Sequence, residues 1–511
     1  MISPQPQNAT PTSAWSTRSA AVAQLLPIVA LIWGALAFGA VYPWAYWPLA
    51  ALLVAAGLAA LAVAERAGVD GTSRELKLAL FGVGAAIAVQ IVPVPNAIVA
   101  TISPQTQTLV ARLSPAFAAG LQRLHPVSVW PRDTWIALAL YASLAFLAVG
   151  AASLFSLAGS RRFVELLTAF GAMLALIGIV QKSLSNRYLY GFWELELGRS
   201  PFGPFVNKNH FAGWMVMALP LTFALLVAGI DQGMHGVKRG WRHRVLWFAS
   251  PEANRLILVA GGAVLMALSL MLTMSRSGIT AFALSMVITG WFVARGVQSR
   301  SRRVAAVLCL GLLATIVVLW SGPDVVASRF AAADWGEFNN RKGAWVDAWS
   351  VAREFPLVGT GLNTYWAAAL IYQHHEMAYF FAQAHNDYLQ LAAEGGVLVT
   401  VPAIVCLFIF VRDIRSAMRG TPRDTSKWLR AGALASLIAI AFQETVEFSL
   451  QMPANAALFA VVCAIAVHRP VTPAAARHDR HETESLSPPR DRVLRIVPAV
   501  RQPRPVHDSH R

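Results

Sequence analysis

The sequence predicts an all-α, polytopic membrane protein with about 12 transmembrane helices and one large, partly helical external loop. Three observations predict it. Of the 511 residues, 56% are hydrophobic and only 13% charged, whereas a soluble globular chain is about a quarter charged. The apolar residues gather in runs of about twenty, the length that crosses a hydrocarbon core. The basic residues sit in alternate connections between those runs, the pattern that fixes membrane topology. The net charge of +16 is therefore spread over loops rather than gathered on a soluble face, so nucleic acid is not expected as a partner and membrane lipids are.

Residues 1–20 are polar and rich in Pro, Ser and Thr, and read as a cytoplasmic N-terminal segment. The first apolar run follows Arg18, lacks a small-residue cleavage site and reads as an uncleaved helix. Nine spans are expected within 21–321, at 21–41, 46–64, 77–95, 134–157, 163–182, 210–230, 255–274, 277–296 and 304–321. Three more are expected within 387–468, at 387–411, 429–447 and 454–468. With the N-terminus inside, Arg66, Arg74, Lys77, Arg161, Arg162 and the basic clusters at 238–244, 300–303 and 412–427 all fall on inward connections. The short outward connections near 40–46 and 448–453 hold no Lys or Arg. An even number of spans follows, with both termini cytoplasmic. The segment 469–511, rich in Arg and Pro with few large apolar residues, reads as a disordered cytoplasmic tail. Cys309, Cys406 and Cys463 lie inside apolar runs, as small core residues do.

Three longer segments then face outward, 96–133, 183–209 and 322–386. The large loop, 322–386, is expected to hold an amphipathic helix over 341–354 with Trp345 and Trp349 one turn apart. Pro356-Leu357-Val358-Gly359-Thr360-Gly361 ends it as a turn. The aromatic residues of this loop, among them Trp345, Trp349, Tyr365, Trp366 and Tyr372, suit either an interfacial belt or the faces of sugars.

The candidate chemistry sits at the outer boundary. His385, in Ala384-His385-Asn386-Asp387-Tyr388-Leu389, has the side chain that accepts a hydroxyl proton near neutral pH. Asn386 and Asp387 either orient it or simply cap the tenth span. Arg276 occupies a short outward turn, where a guanidinium pairs with phosphate or snorkels to lipid headgroups. Arg341 and Lys342 are expected at the start of the loop helix, where a cation is disfavoured unless an anion is bound. Asn207 and Asn209 either simply cap the sixth span, or Lys208 or His210 there faces the same cavity as Arg276. Glu444 and Glu447 near the eleventh outer boundary suit ion pairing with one of the arginines. No glycine-rich nucleotide loop follows a strand, and no outward Asp-x-Asp occurs, so neither a cofactor nor a metal is expected.

The order of Gly203–Phe211, Ser275-Arg276, Arg341 with Trp345, Pro356–Gly361, His385–Leu389 and Glu394-Gly395 resembles the O-antigen ligase and polymerase superfamily over roughly 200–410. The resemblance implies a glycosyltransferase C-like membrane enzyme of the bacterial inner membrane, with 322–386 periplasmic. It implies transfer of a glycan from an undecaprenyl-diphosphate donor to a sugar hydroxyl on lipid A–core or on another lipid-linked glycan, without a metal. Arg276 and Arg341 match the family's diphosphate-binding arginines in order and placement, and His385 its essential histidine. Related sequences often carry a His-Ser pair and an Asp after the eleventh span. This chain has Gln443-Glu444 and Glu447-Phe448 there, a departure that puts the role of that corner in doubt. A transporter or flippase of the same lipid-linked glycan is the alternative; it would place ionisable groups near the midplane rather than at the boundary.

Overall fold

The computed structural model describes residues 19–469 except 21, 185–187, 195–199, 234–249, 298, 301–302, 305, 309–310, 312–334, 376–379 and 421–424. The expected N-terminal segment up to 18, the tail from 470 and most of the expected span 304–321, with Cys309, lie outside the described residues.

Helices α1 (Leu25–Leu36) and α2 (Pro43–Arg66) flank a 3-10 turn, Phe38–Ala40. Then come α3 (Arg74–Val89), three short helices α4 (Asn96–Ile102), α5 (Pro104–Leu113) and α6 (Pro115–Ala118), and α7 (Pro131–Ala158) and α8 (Arg161–Ser183). Three long helices follow: α9 (Lys208–Gly233), α10 (Pro251–Leu272) and α11 (Arg276–Gly296). The large loop supplies α12 (Trp335–Glu354) and α13 (Tyr365–Tyr372), and α14 (Asp387–Gly420), α15 (Thr425–Gln443) and α16 (Pro453–Val467) end the described chain. Strand is confined, among the described residues, to two small antiparallel ladders, Val94–Pro95 with Leu124–His125 and Tyr188–Leu189 with Trp193–Glu194.

Seven of the described helices, α2, α7, α8, α9, α10, α11 and α14, are long and apolar enough to cross a membrane; α1 and α16 are apolar but shorter. The expected spans at 77–95 and 429–447 fold as α3 and α15, which are not among the seven. The chain is thus a mostly helical, polytopic membrane protein. Its axis is α9, whose apolar stretch is wholly buried because α8, α10, α11 and α15 pack around it. The α2–α7 pair closes on glycine: a Cβ on Gly57 would lie 2.6 Å from the Phe146 carbonyl oxygen. With no hydrophobic drive between helices in lipid, such close backbone contact is a main source of cohesion.

A second, smaller core lies at one end of the bundle, where the segment 96–133 and the large loop pack together. Leu109, Val110, Phe117, Val129, Val351 and Phe355 are buried in it. Tyr365 is also part of it, only 2% exposed, while the Trp366 indole donates to Asp133 at 2.9 Å. Several loop aromatics thus hold this layer together, while Trp349 and Phe380, among the described residues, are each 54% exposed.

The outer layer is bolted to α14 through glycines. Gly396 breaks α14 with φ 53° and ψ −160°, a conformation open only to glycine. The backbone of Pro356–Gly361 runs alongside this break. Thr360 N and Gly361 N donate to the carbonyls of Ala393 and Glu394, and Val397 N and Leu398 N donate back to Pro356 and Leu357, at 2.8–3.0 Å. A Cβ on Gly359 would sit 2.1 Å from the Glu394 oxygen, and one on Gly396 2.5 Å from Gly359 N. Buried Gln90 spans the junction, donating to Val358 and Glu394 carbonyls and accepting from Leu362 N. The Glu394 carboxylate accepts from Asn363 N and Tyr365 N and so caps α13.

Candidate functional site

At this same end of the bundle the chain between α15 and α16 forms a tight turn, 444–452, and the candidate residues converge on it. Glu447 is fully buried. One of its oxygens, Oε1, accepts from Asn209 Nδ2 at 2.7 Å, Arg341 Nη2 at 2.8 Å and Ser277 Oγ at 3.4 Å. These donors come from the first turn of α9, from α12 and from the first turn of α11. Arg341 Nη1 also donates to the Val446 carbonyl at 3.1 Å. A buried carboxylate is costly unless paired and hydrogen-bonded; here three elements distant in sequence supply the partners. The position that departs from the resemblance is therefore the hub of the site.

Arg276 opens α11, half-buried, directly beside Ser277. Ser275 caps that helix by accepting from Gly278 N. Lys208 opens α9 beside Asn209 and is likewise half-buried. Asn207 Oδ1 accepts from Asn209 N, so Asn207 is the cap and Asn209 is free to hold Glu447. Two helix starts, each opened by a basic residue, thus meet at Glu447, and helix N-termini favour an anion.

Arg341 corrects one expectation. The loop helix begins at Trp335, not at 341, so Arg341 lies within α12 and has no free N-terminal amides beside it. Asparagines 339 and 340 sit in its interior, as residues of middling helix propensity do when no proline intervenes. What places Arg341 is its pairing with Glu447 rather than the end of a helix.

His385 ends the loop two residues before α14. Its backbone is left-handed, φ 51°, which costs a non-glycine residue about 1–3 kcal/mol and persists only where the surroundings enforce it. They do so from every side. Trp345 Nε1 donates to the His385 carbonyl at 3.1 Å, Ala384 N is held by Gln390 Oε1, and Asp387 N donates to the Glu444 carbonyl. Asn386 does two jobs: its Oδ1 caps α14 by accepting from Leu389 N, and its Nδ2 donates to the Thr445 carbonyl. The imidazole itself is gripped by packing. Phe448 meets it edge-on at 4.7 Å and Phe381 at 5.8 Å, while Nδ1 is buried with no hydrogen-bond partner among the described residues. Phe448 also meets His210 at 4.8 Å, so one ring separates two imidazoles. Burial, with the Arg341 guanidinium adding to it, pushes the His385 imidazole down to about 4, which keeps it neutral at physiological pH.

Asp387 is not among the partners of Glu447. Its Oδ1 accepts from Gln451 Nε2 at 2.7 Å, and its carboxyl meets that of Glu444 in the same 444–452 turn. Sequence reading also passed over Gln90, Gln390, Gln451 and Phe448. Each is an unremarkable residue in or beside an apolar run, and nothing local reveals partners up to about three hundred positions away, as Gln90 has in Glu394. Among the described residues no group of three or more His, Cys, Asp or Glu side chains is arranged to hold a metal ion.

No curated protein matches the chain. Residues 261–404, which carry Arg276, Arg341, His385, Asn386 and Asp387 but neither Asn209 nor Glu447, match the family model described as O-antigen ligase, and over that segment the resemblance to the O-antigen ligase and polymerase superfamily holds.

Proposed function

We propose that this protein transfers a glycan from an undecaprenyl-diphosphate donor to a sugar hydroxyl on lipid A–core or on a second lipid-linked glycan. The reaction takes place at the end of the bundle that the charge pattern assigns to the periplasm. The observation that carries the reading is the convergence of Asn209, Ser277 and Arg341 on Glu447, with Arg276 and Lys208 on the same two helix starts and His385 across Phe448. Cationic groups gathered beside a neutral imidazole support binding of a diphosphate next to a group that takes a hydroxyl proton.

In this account Arg276 and Arg341 bind the diphosphate and stabilise the charge that grows on it as the C1–O bond breaks. Glu447 and the Val446 carbonyl each hold one N–H of the Arg341 guanidinium, and the other three of its five are left for the ligand. The imidazole of His385 takes the proton of the acceptor hydroxyl while its oxygen attacks C1. Undecaprenyl diphosphate departs with the bonding electron pair, and attack opposite to it inverts the anomeric centre. Cleavage of the donor's own C1–O bond to diphosphate, a good leaving group, supplies the energy. Bound diphosphate also offsets the positive field of Arg341 on His385, which raises the basicity of the imidazole when donor is present.

Purified protein in lipid nanodiscs, given donor and acceptor without any membrane gradient, tests the reading. Joined product from wild type, and none from His385→Ala that inserts normally, is expected. Movement of the donor lipid without product would favour the flippase instead.

A further inference from the structure

The helix that starts beside His385 ends in a second charged feature. Along α14, Phe408, Val411, Arg412, Arg415 and Arg419 recur at i, i+3, i+4, i+7 and i+11, so they share one face. With Leu407 they line a cavity of 570 Å³ at the end of the bundle that the charge pattern assigns to the cytoplasm. Among the described residues no acidic side chain lines it. Phe408 is 72% exposed, and Arg415 and Arg419 are exposed beside it. The neighbouring Asp413 is buried and accepts from Ser73 Oγ at 2.5 Å and from Arg412 Nη2 at 3.0 Å. Arg412 thus has a carboxylate, whereas Arg415 and Arg419 pair with none among the described residues. Arg419 lies in the last turn, where a cation suits the free carbonyls of the helix end. Arg415 lies more than a turn earlier, and no such contact explains it. At 1.5 Å per residue, Leu407 lies about 30 Å and Arg412 about 37 Å from the start of α14 at Asp387. A hydrocarbon core is about 30 Å thick and a bilayer with its headgroups about 40–45 Å. The cavity therefore straddles the inner boundary, apolar on the hydrocarbon side and cationic on the headgroup side.

We propose that this cavity binds an anionic phospholipid of the cytoplasmic leaflet, with its phosphate on Arg415 and Arg419 and the upper part of one acyl chain on Leu407, Phe408 and Val411. The site stands apart from the transfer reading and needs only that α14 crosses the membrane. Charge complementarity and depth select the occupant. Guanidinium groups take phosphate oxygens bidentately, and basic clusters just inside a membrane helix gain from anionic headgroups. A zwitterionic lipid offers the same phosphate but brings an ammonium into a positive field. A water-soluble phosphate gains nothing from the apolar half of the cavity and leaves Phe408 uncovered. The chain's own end, 470–511, holds eight arginines against five acidic residues, the wrong sign to fill a cationic site.

Native mass spectrometry of the full-length protein, released from micelles that contain dioleoyl phosphatidylglycerol or dioleoyl phosphatidylcholine, tests the site with two lipids that share their chains. The anionic lipid is expected to bind about tenfold or more tightly. Arg415→Gln combined with Arg419→Gln should weaken it about tenfold, while Arg66→Gln, on another inward connection at the end of α2, leaves it unchanged. Equal affinity for the two lipids, an unchanged affinity in the double variant, or an equal loss in Arg66→Gln would overturn the proposal. Glycerol 3-phosphate, the headgroup phosphate without chains, should not displace the lipid at equal concentration; displacement would give the site to a soluble phosphate and overturn it as well. A photoactivatable phosphatidylglycerol on wild-type protein locates the contact without any variant, and so decides alone should the double variant misfold. Labelled peptides within 407–419 are expected, and labelling confined to other segments would overturn the assignment.

Discussion

Glu447→Gln separates a positioning role from a structural one. The side chain is 1% exposed and its Oε1 accepts from Arg341, Asn209 and Ser277. Glutamine keeps the shape and an acceptor oxygen but removes the charge. A hydrogen bond to a charged group is worth about 1.5–3 kcal/mol and a neutral one about 0.5–1.5 kcal/mol. Weakening the Arg341 and Asn209 contacts therefore costs about 1–3 kcal/mol of positioning, a figure kept low because the Arg341 side chain is 27% exposed. If that energy holds the guanidinium in its reactive geometry, kcat/KM falls about 5- to 100-fold, at about 1.4 kcal/mol per decade. Stability should move the other way or not at all. Replacing a buried carboxylate by a neutral isostere removes a desolvation cost, which often offsets the lost pairing. The assay is transfer by purified protein alongside its thermal melt. A fall in transfer with an unchanged or higher melting temperature is expected. Wild-type transfer from E447Q would refute the positioning argument, and a parallel loss of transfer and stability would reduce Glu447 to a structural brace.

Three further outcomes follow from the same geometry. Because the His385 imidazole is pushed down to about 4, kcat/KM should stay flat from pH 8 to about 5 and fall only as pH drops through that value, where the buried ring finally protonates; a limb at 6.5 would contradict this. Donor binding offsets the Arg341 field, so the corresponding limb in kcat should lie at higher pH than the limb in kcat/KM. Gly359→Ala and Gly396→Ala would each drive a Cβ to within 2.1–2.5 Å of backbone, and both are left-handed; loss of monodisperse protein on size exclusion is expected, and normal yield of either would contradict the packing described. Phe448→Ala removes the ring between His385 and His210; as a Phe→Ala change at a buried site it should destabilise by about 3–5 kcal/mol, read by thermal melt, and lower kcat more than it raises either KM.

The helical membrane class was legible because its signals are local: apolar runs, and arginines in alternate loops. The starts of α9, α11 and α14, and the caps on Asn207, Ser275 and Asn386, follow from the same kind of short-range chemistry. His385, Arg276 and Arg341 could be singled out because an ionisable group beside hydrocarbon stands out by residue type alone. What could not be read is how they meet. Glu447 lies 106 positions from Arg341 and 238 from Asn209, and a lone glutamate at a helix boundary carries no sign of such partners. The Pro356–Gly361 motif read as a turn that stops a helix; its glycines are there because a second backbone, the broken start of α14, runs within van der Waals distance. Arg341 is expected at a helix start, and only the extension of α12 back to Trp335 shows that it lies inside the helix. The loop aromatics suggested sugar or lipid contact, whereas the packing of the segment 96–133 against the large loop consumes several of them.

The most direct test of the two-arginine diphosphate site is binding of undecaprenyl diphosphate, without glycan, to nanodisc-held wild type, Arg276→Ala, Arg341→Ala and His385→Ala. Each arginine variant should bind at least about tenfold more weakly, since a charge-assisted contact to phosphate is worth about 1.5–3 kcal/mol, while His385→Ala binds as wild type yet transfers nothing. Wild-type affinity in both arginine variants would contradict the account.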